Sequence, residues 1–348
     1  MRHLPWHLTQ TRYQYPYLIL VNSLIPALLA GNSAIIKPSP QTPTVAEQAA
    51  RLFADAGLPP GVLQHLHCGT VARLQPLIQS PLIKLICFTG SVAGGLAVQR
   101  LASGAVDVRV GLELGGKDAA YVREDVDVAW AADQLVDGAV FNSGQSCCSV
   151  ERVYVHERVH DAFVAAGRDV LKSYVLGHPF EPKTTVGPVV SARAAQTIRA
   201  HVSDALAKGA KDETPPNASF EADYPEGNFV APVLLTRVTH DMAVMTEETF
   251  GPVMPVMSVK DDAEAVRLMN DSEFGLTASI WTKDVDAGHR LAEEVEAGTV
   301  FVNRCDYPSP DLAWVGWKNS GKGQTLGAFG FEQFVRLKSY HIKDYPVS

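Results

Sequence analysis

Runs of lysine and arginine are missing from this 348-residue chain, whose formal net charge is −8, so no basic surface for nucleic acid or an anionic membrane is expected. Low-complexity tracts and internal repeats are also lacking, which excludes a fibrous or solenoid architecture. Cysteine is scarce: Cys68, Cys87, Cys147, Cys148 and Cys305 form an odd set without a regular framework, as suits reduced thiols in the cytoplasm or an organelle rather than a secreted disulfide scaffold. Neither paired CxxC units nor an HExxH pattern occurs, so no metal ligand set is expected, and most of the eleven histidines read as surface or satisfied core groups. The longest apolar stretch, 17–36, is broken by Asn22, Ser23, Pro26, Gly31, Asn32 and Ser33. It reads as a helix over 18–29 stopped at Gly31 and a strand over 34–37, not as a membrane span or signal peptide.

What remains is an ordinary globular composition, 46% apolar and 20% charged, long enough for two domains. From residue 18 to 113 helical and strand periods alternate. Helices are predicted over 44–56, 71–78 and 92–102, and strands over 62–67, 83–88 and 108–114. Short apolar strands separated by helices imply a parallel sheet covered on both faces, a Rossmann-like nucleotide domain. A second α/β unit follows, with a helix over 127–141, a strand over 152–155 and a helix over 159–175. Segments 190–208, 262–270, 278–282 and 286–296 continue the alternation. Residues 209–230, with Pro215, Pro216, Pro225 and Gly227, read as a loop excursion.

Two motifs carry chemistry. Glu113 lies in Leu112-Glu113-Leu114-Gly115-Gly116-Lys117, and Cys147 in Gly144-Gln145-Ser146-Cys147-Cys148. A thiol nucleophile needs a base for itself or for the water that later frees the acyl group, and cysteine and glutamate fit those roles. Glycines beside each let backbone approach a ligand closely. The turn Phe88-Thr89-Gly90-Ser91 follows an apolar strand and opens a helix, so its amides suit a phosphate.

These motifs, in this order, resemble the aldehyde dehydrogenase superfamily. Asn32 to Ser39 followed by Gln41-Thr42-Pro43, Glu247 to Pro252, and Gly298 to Asn303 resemble further signatures of that family, and the resemblance runs over about residues 13–348. It implies an α/β fold with a partial dinucleotide-binding domain (1–114), a catalytic domain (115–325) and a tail (326–348) whose strand over 338–343 contributes to subunit contact in a homo-oligomer. It further implies NAD or NADP as cofactor and oxidation of an aldehyde to a carboxylic acid through a thiohemiacetal and thioester on Cys147, with Glu113 activating water. Lys37, Gly90, Ser91, Gly95, Glu248 and Phe250 would bind the cofactor. Cys148 reads as packing, or as a partner in a vicinal disulfide under oxidation.

The chain departs from the family pattern in three places. Pro40 stands where many members carry a glutamate that repels a 2′-phosphate, which leaves NAD versus NADP open. Gln14 aligns with the oxyanion asparagine. Its extra methylene shifts the donor, and loss of such a donor costs about a hundred- to thousandfold in rate; Pro5-Trp6 is the other Pro-Trp context, and it would require an insertion. The family's preceding stretch, with outer helices of the nucleotide domain and strands of the oligomerisation flap, is missing, which is expected to expose apolar sheet faces. The alternative to an enzyme is therefore a non-catalytic truncated relative that keeps the fold for cofactor binding or assembly. Phe141, Tyr307 and Trp314 are nominal pocket-lining groups.

Overall fold

A computed structural model describes residues 2–3, 6–220 and 227–345. Pro5 and Pro225, used above, lie outside the described residues. The chain divides into two compact units: Met1–Glu113 with Ser309–Trp314 and Lys322–Ser348, and Leu114–Pro308 with Val315–Gly321. The expected first boundary, after residue 114, differs by one residue. The tail, expected as a separate segment from 326, instead packs into the first unit as far as Phe334, which is fully buried against Ala27, Leu85 and Cys87.

In the first unit, parallel strands stand in the order Arg109–Glu113, Ile83–Thr89, Trp6–Gln10, Ser33–Lys37, Leu63–His65. The central strand, Trp6–Gln10, is absent from the sequence reading, which began the alternation at residue 18. A strand flanked on both sides usually reads as a continuous apolar run, and this one is masked by His7, Thr9 and Gln10. His7 and Thr9 are nonetheless buried, each with one internal partner: His7 Nδ1 lies 3.2 Å from Ser33 O, and Thr9 Oγ1 lies 3.2 Å from Ser23 Oγ, while His7 Nε2 has no partner among the described residues. Helix Pro16–Leu29 starts on a proline, whose missing N–H costs nothing in the first turn. It buries Leu20 and Leu24 against Ala34, Ile36, Val45, Ala46 and Ala49. Helix Val92–Ala102 matches its expectation, whereas 71–78 is a 3-10 turn, Val71–Leu74, followed by one helical turn, Gln75–Ile78.

The second unit holds a seven-stranded sheet in the order Thr299–Val302, Thr277–Trp281, Asp118–Val122, Val150–His156, Val253–Val259, Val233–Thr236, Lys211–Asp212, parallel except for the last pair. Helices Val128–Val140 and His160–Leu171 cover one face, and Ala192–Ala207, Asp262–Asn270 and Val285–Glu294 the other. The edge strand Lys211–Asp212 falls inside the segment read as a loop. Backbone pairing with Leu235 and Thr236 decides it, not composition.

No strand forms over 338–343. Tyr340 and Ile342 are 73% and 80% exposed, and an alternating segment becomes a strand only where a sheet edge accepts its N–H groups. The pairing at this end is a short one, Val335–Arg336 with Arg2–His3. Among the described residues no helix is long and apolar enough to cross a membrane.

Candidate active site

The first unit's sheet reverses its strand order between Trp6–Gln10 and Ile83–Thr89, since chain order runs outward from the former on one side and from the latter on the other. In open parallel sheets ligands bind at the carboxyl ends of the strands at such a switch point. Gly90 and Ser91 follow one of these strand ends, Gln14 lies in the loop after the other, and Lys37 closes the neighbouring strand. Trp6 opens its strand at the opposite end from Gln14, and Pro5 lies outside the described residues.

Ser91 caps helix Val92–Ala102 by accepting from Gly94 N–H at 3.2 Å, and buried Gly95 sits in its first turn. A Cβ at Gly90 would lie 2.5 Å from the Phe88 ring, so the turn holds bare backbone there. Lys37 is 4% exposed. Its ammonium has no hydrogen-bond partner among the described residues, and burial lowers its pKa. A largely buried cation at one strand end and a capped helix N-terminus two strands away at the same edge of the sheet fit the polyhydroxyl and phosphate parts of a dinucleotide. Gln14 is 2% exposed, and both its Oε1 and its Nε2 lack partners among the described residues.

Glu113 ends the strand beside Ile83–Thr89. Thr325 Oγ1 donates to its Oε1 at 2.5 Å and Thr89 Oγ1 to its Oε2 at 3.3 Å, in a recess also lined by Asn22, Lys322 and Gln324. Burial pushes this carboxyl above the ordinary carboxylate range, and the two hydroxyls pull it back. The result is a base held by neutral donors rather than by an ion pair.

In the second unit, helix Val128–Val140 runs into Asn142, Ser143 and Gly144, all with positive φ of 52°, 59° and 68°. Two non-glycine residues in this region store strain that the surroundings must hold. Asn142 Nδ2 donates to Gln145 O at 3.0 Å, Gln145 Nε2 to Asn142 O at 3.1 Å, and Gln145 Oε1 accepts from Val190 N–H at 2.8 Å. Ser143 Oγ donates to Gly187 O at 2.8 Å. A Cβ at Gly144 would lie 2.2 Å from the Gly251 backbone, so its φ and its packing both require glycine.

Cys147 emerges from this loop partly exposed, whereas Cys148 is buried. Ser146 Oγ and Cys148 Sγ both donate to Asp306 Oδ1, each at 2.9 Å. Hydrogen bonding with Cys147 and then burial push the Cys148 thiol well up, and burial raises Asp306. Burial likewise pushes Cys87 up and Cys305 up to about 12. These three thiols stay protonated and are poor nucleophiles. Gly116 ties the two motifs together: a Cβ there would lie 2.7 Å from Cys147 O and 2.5 Å from Asp118 Oδ1.

The loop with Glu248 and Phe250 is held by a residue the sequence reading passed over. Glu151, 3% exposed, accepts from Thr249 N–H at 2.8 Å and Phe250 N–H at 2.9 Å, and pairs with Lys117 Nζ at 2.6 Å. Lys117 also donates to Thr249 Oγ1 at 3.1 Å. The Glu248 carboxylate then lies on the glycine pair, accepting from Gly116 N–H at 3.3 Å, where a Cβ at Gly115 would collide with it. Lys117, Glu151, Asp306, Thr89 and Thr325 are thus additions to the expected set. The available signal was a charged pair, Glu151-Arg152, inside an otherwise apolar strand. Of the nominal lining groups, Trp314 is buried, while Phe141 and Tyr307 are exposed, with the Arg304 guanidinium 3.4 Å above the Tyr307 ring.

Comparison with known proteins gives the family and the fold. Residues 11–340 match the model of the aldehyde dehydrogenase family. Retinaldehyde dehydrogenase 3 from Homo sapiens is 35% identical over 334 residues, 96% of this chain and 64% of the relative, so the chain spans under two thirds of that protein's length. Betaine aldehyde dehydrogenase from Bacillus subtilis (strain 168) is 33% identical over 339 residues, covering 97% of this chain and 69% of the relative. Among solved structures, the Mycobacterium tuberculosis aldehyde dehydrogenase complexed with NAD+ superposes with a TM-score of 0.92 at 32% identity, covering 99% of this chain and 71% of that one. An NADP dependent enzyme from E. coli gives 0.92 at 30% identity, covering 97% and 69%. With its fold and nearly its whole length accounted for in this way, the chain belongs to the aldehyde dehydrogenase family.

Proposed function

We propose that the chain carries NAD- or NADP-dependent oxidation of an aldehyde to a carboxylic acid, with Cys147 as nucleophile. The observation that carries this reading is the strained 142–145 loop, held by four side-chain hydrogen bonds, which presents Cys147 partly exposed while the neighbouring Cys148 is occupied by Asp306. Such strain, held in place by its surroundings, clusters at active sites. Addition of the Cys147 thiolate to the carbonyl carbon forms a C–S bond and an alkoxide. Gln14, whose amide lacks a partner among the described residues, is the proposed donor to that oxygen. A bound nicotinamide would supply the hydride-accepting ring, held with the help of Lys37, the Gly90-Ser91 turn and Gly95, and of Glu248 and Phe250. The thioester left on Cys147 is then opened by water that gives its proton to Glu113, releasing the acid and the thiol. Glu113 suits that step because burial keeps its carboxyl above the usual range. The exposed Leu337, Tyr340, Ile342 and Tyr345 support a further proposal, that the tail docks on a second copy of the chain.

The test is nicotinamide reduction by the purified chain with aliphatic, aromatic and semialdehyde substrates, using NAD and NADP separately. Turnover with either cofactor that disappears in Cys147→Ala is the expected result. A chain shown folded by circular dichroism that reduces neither cofactor with any substrate overturns the proposal.

A further inference from the structure

The edge strand Leu63–His65 of the first unit ends on one histidine, and a second, His67, follows two residues later. Its pairing with Ser33–Lys37 persists past the last strand residue, because Leu66 N–H donates to Ile36 O at 2.8 Å. Extended backbone sends alternate side chains to one face, and the His65 and His67 ring centroids stand 5.4 Å apart. Helix Thr44–Asp55 brings a third group to the same place: Glu47 Oε1 lies 2.9 Å from His67 Nε2. One ring nitrogen from each histidine and a Glu47 carboxylate oxygen all lie within 4.8 Å of one another.

A surface ion pair explains only part of this cluster. It accounts for His67 and Glu47 and leaves His65, whose ring meets only that of His67 among the ring contacts of the described residues. Around a tetrahedral ion with ligand bonds of about 2.1 Å, adjacent donors stand about 3.4 Å apart. Closing the cluster to that spacing takes movements of about an ångström. The side chains can make them, since His67 and Glu47 are 43% and 53% exposed. Two imidazoles and a carboxylate, with water completing the shell, form a donor set suited to zinc, nickel or cobalt rather than to magnesium or calcium.

We propose that Glu47, His65 and His67 form a surface site for a divalent transition metal. Each imidazole binds as the neutral ring, with its proton on the nitrogen that does not face the ion, and Glu47 exchanges its contact with His67 for one with the metal. The ion joins the helix to an edge strand that has a neighbour on one side only, so its occupancy stabilises this edge of the sheet. A scan for CxxC or HExxH spacing misses the site because the third ligand comes from a helix 18 residues before His65.

The experiment is calorimetric titration of the metal-stripped full chain with zinc chloride, with melting temperature followed in parallel and the visible spectrum recorded with cobalt chloride. The expected result is one zinc ion per chain at micromolar concentration, a raised melting temperature and cobalt bands of a nitrogen and oxygen site without thiolate charge transfer. His65→Ala and His67→Ala are each expected to weaken binding by more than about 100-fold, beyond the loss of about 10–100-fold typical when only a hydrogen-bond partner of a ligand is removed. Cys68→Ala and Cys147→Ala retain full binding. Absence of binding overturns the proposal, as does unchanged affinity in both histidine variants or loss confined to a cysteine variant.

Discussion

Replacing Glu151 by glutamine strands a charge inside the second unit. The two carboxylate oxygens accept from three donors: Oε2 from Lys117 Nζ and Thr249 N–H, Oε1 from Phe250 N–H. A carboxamide has one acceptor oxygen, so in Glu151→Gln its NH2 must face at least one of these donors. The less costly orientation leaves the Phe250 N–H unmatched, worth about 1–3 kcal/mol. It also leaves the Lys117 ammonium, with a side chain 0% exposed, against a neutral oxygen. Removing one partner of a buried ion pair costs about 3–5 kcal/mol. The two losses share one group and do not add, so about 3–5 kcal/mol is expected in total, a large part of a stability of about 5–15 kcal/mol. Urea unfolding followed by circular dichroism and tryptophan fluorescence measures it, with fully buried Trp281 reporting on this unit. Adding Lys117→Met to Glu151→Gln removes the stranded charge and is expected to recover about 2 kcal/mol or more. A Glu151→Gln chain within about 1 kcal/mol of the parent, or a double variant no better than the single one, refutes the assignment.

Stability is expected to fall in acid through His7, whose burial lowers its pKa from 6.5 to about 4. Because the folded value lies below the unfolded one, the unfolded chain takes up the proton first. The stability is whole above the unfolded value and drains away as pH falls toward the folded one, by about 3 kcal/mol in all. Unfolding midpoints at about pH 7.5 and about pH 4.5 should therefore differ less in His7→Gln than in the parent; an identical acid dependence refutes the assignment to His7. Gly116→Ala drives a methyl group into the Cys147 carbonyl and should displace the thiol, lowering aldehyde oxidation by about 100-fold, with melting temperature and circular dichroism establishing that the chain still folds. Unchanged activity would remove Gly116 from the site. Thr325→Val deletes the shorter of two hydrogen bonds that favour the Glu113 carboxylate, so the acid limb of the rate profile should move to higher pH by about one unit. A limb that stays in place means Glu113 is not the group that titrates.

Local periodicity was enough for much of the fold. Helices such as Val92–Ala102 and strands such as Ile83–Thr89 repeat their apolar residues at spacings set by their own geometry, and Gly-rich turns mark their ends. Strand Trp6–Gln10 was invisible because its buried polar residues are paid for by partners 14 and 26 residues away. The 338–343 segment alternates like a strand but lies exposed within this chain, because its expected pairing is with a second copy rather than with a local edge. The residue types of the reactive loop, and the family they point to, could likewise be read in order along the chain, since Cys147, Glu113, Lys37 and Glu248 sit in contiguous motifs whose glycines declare close backbone approach. The state of those groups could not be read that way. That Cys148 rather than Cys147 is tied up depends on Asp306, 158 residues later; that Glu248 lies on the glycine pair depends on Glu151 and Lys117; and that Glu47 meets His65 and His67 depends on how a helix packs on a sheet edge. Sequence by itself determined which chemical groups the chain carries and which backbone periods it favours, because both are local properties. Which of those groups are desolvated, paired or left accessible was decided only by tertiary structure, because burial and hydrogen bonding depend on neighbours that the chain brings together from far apart.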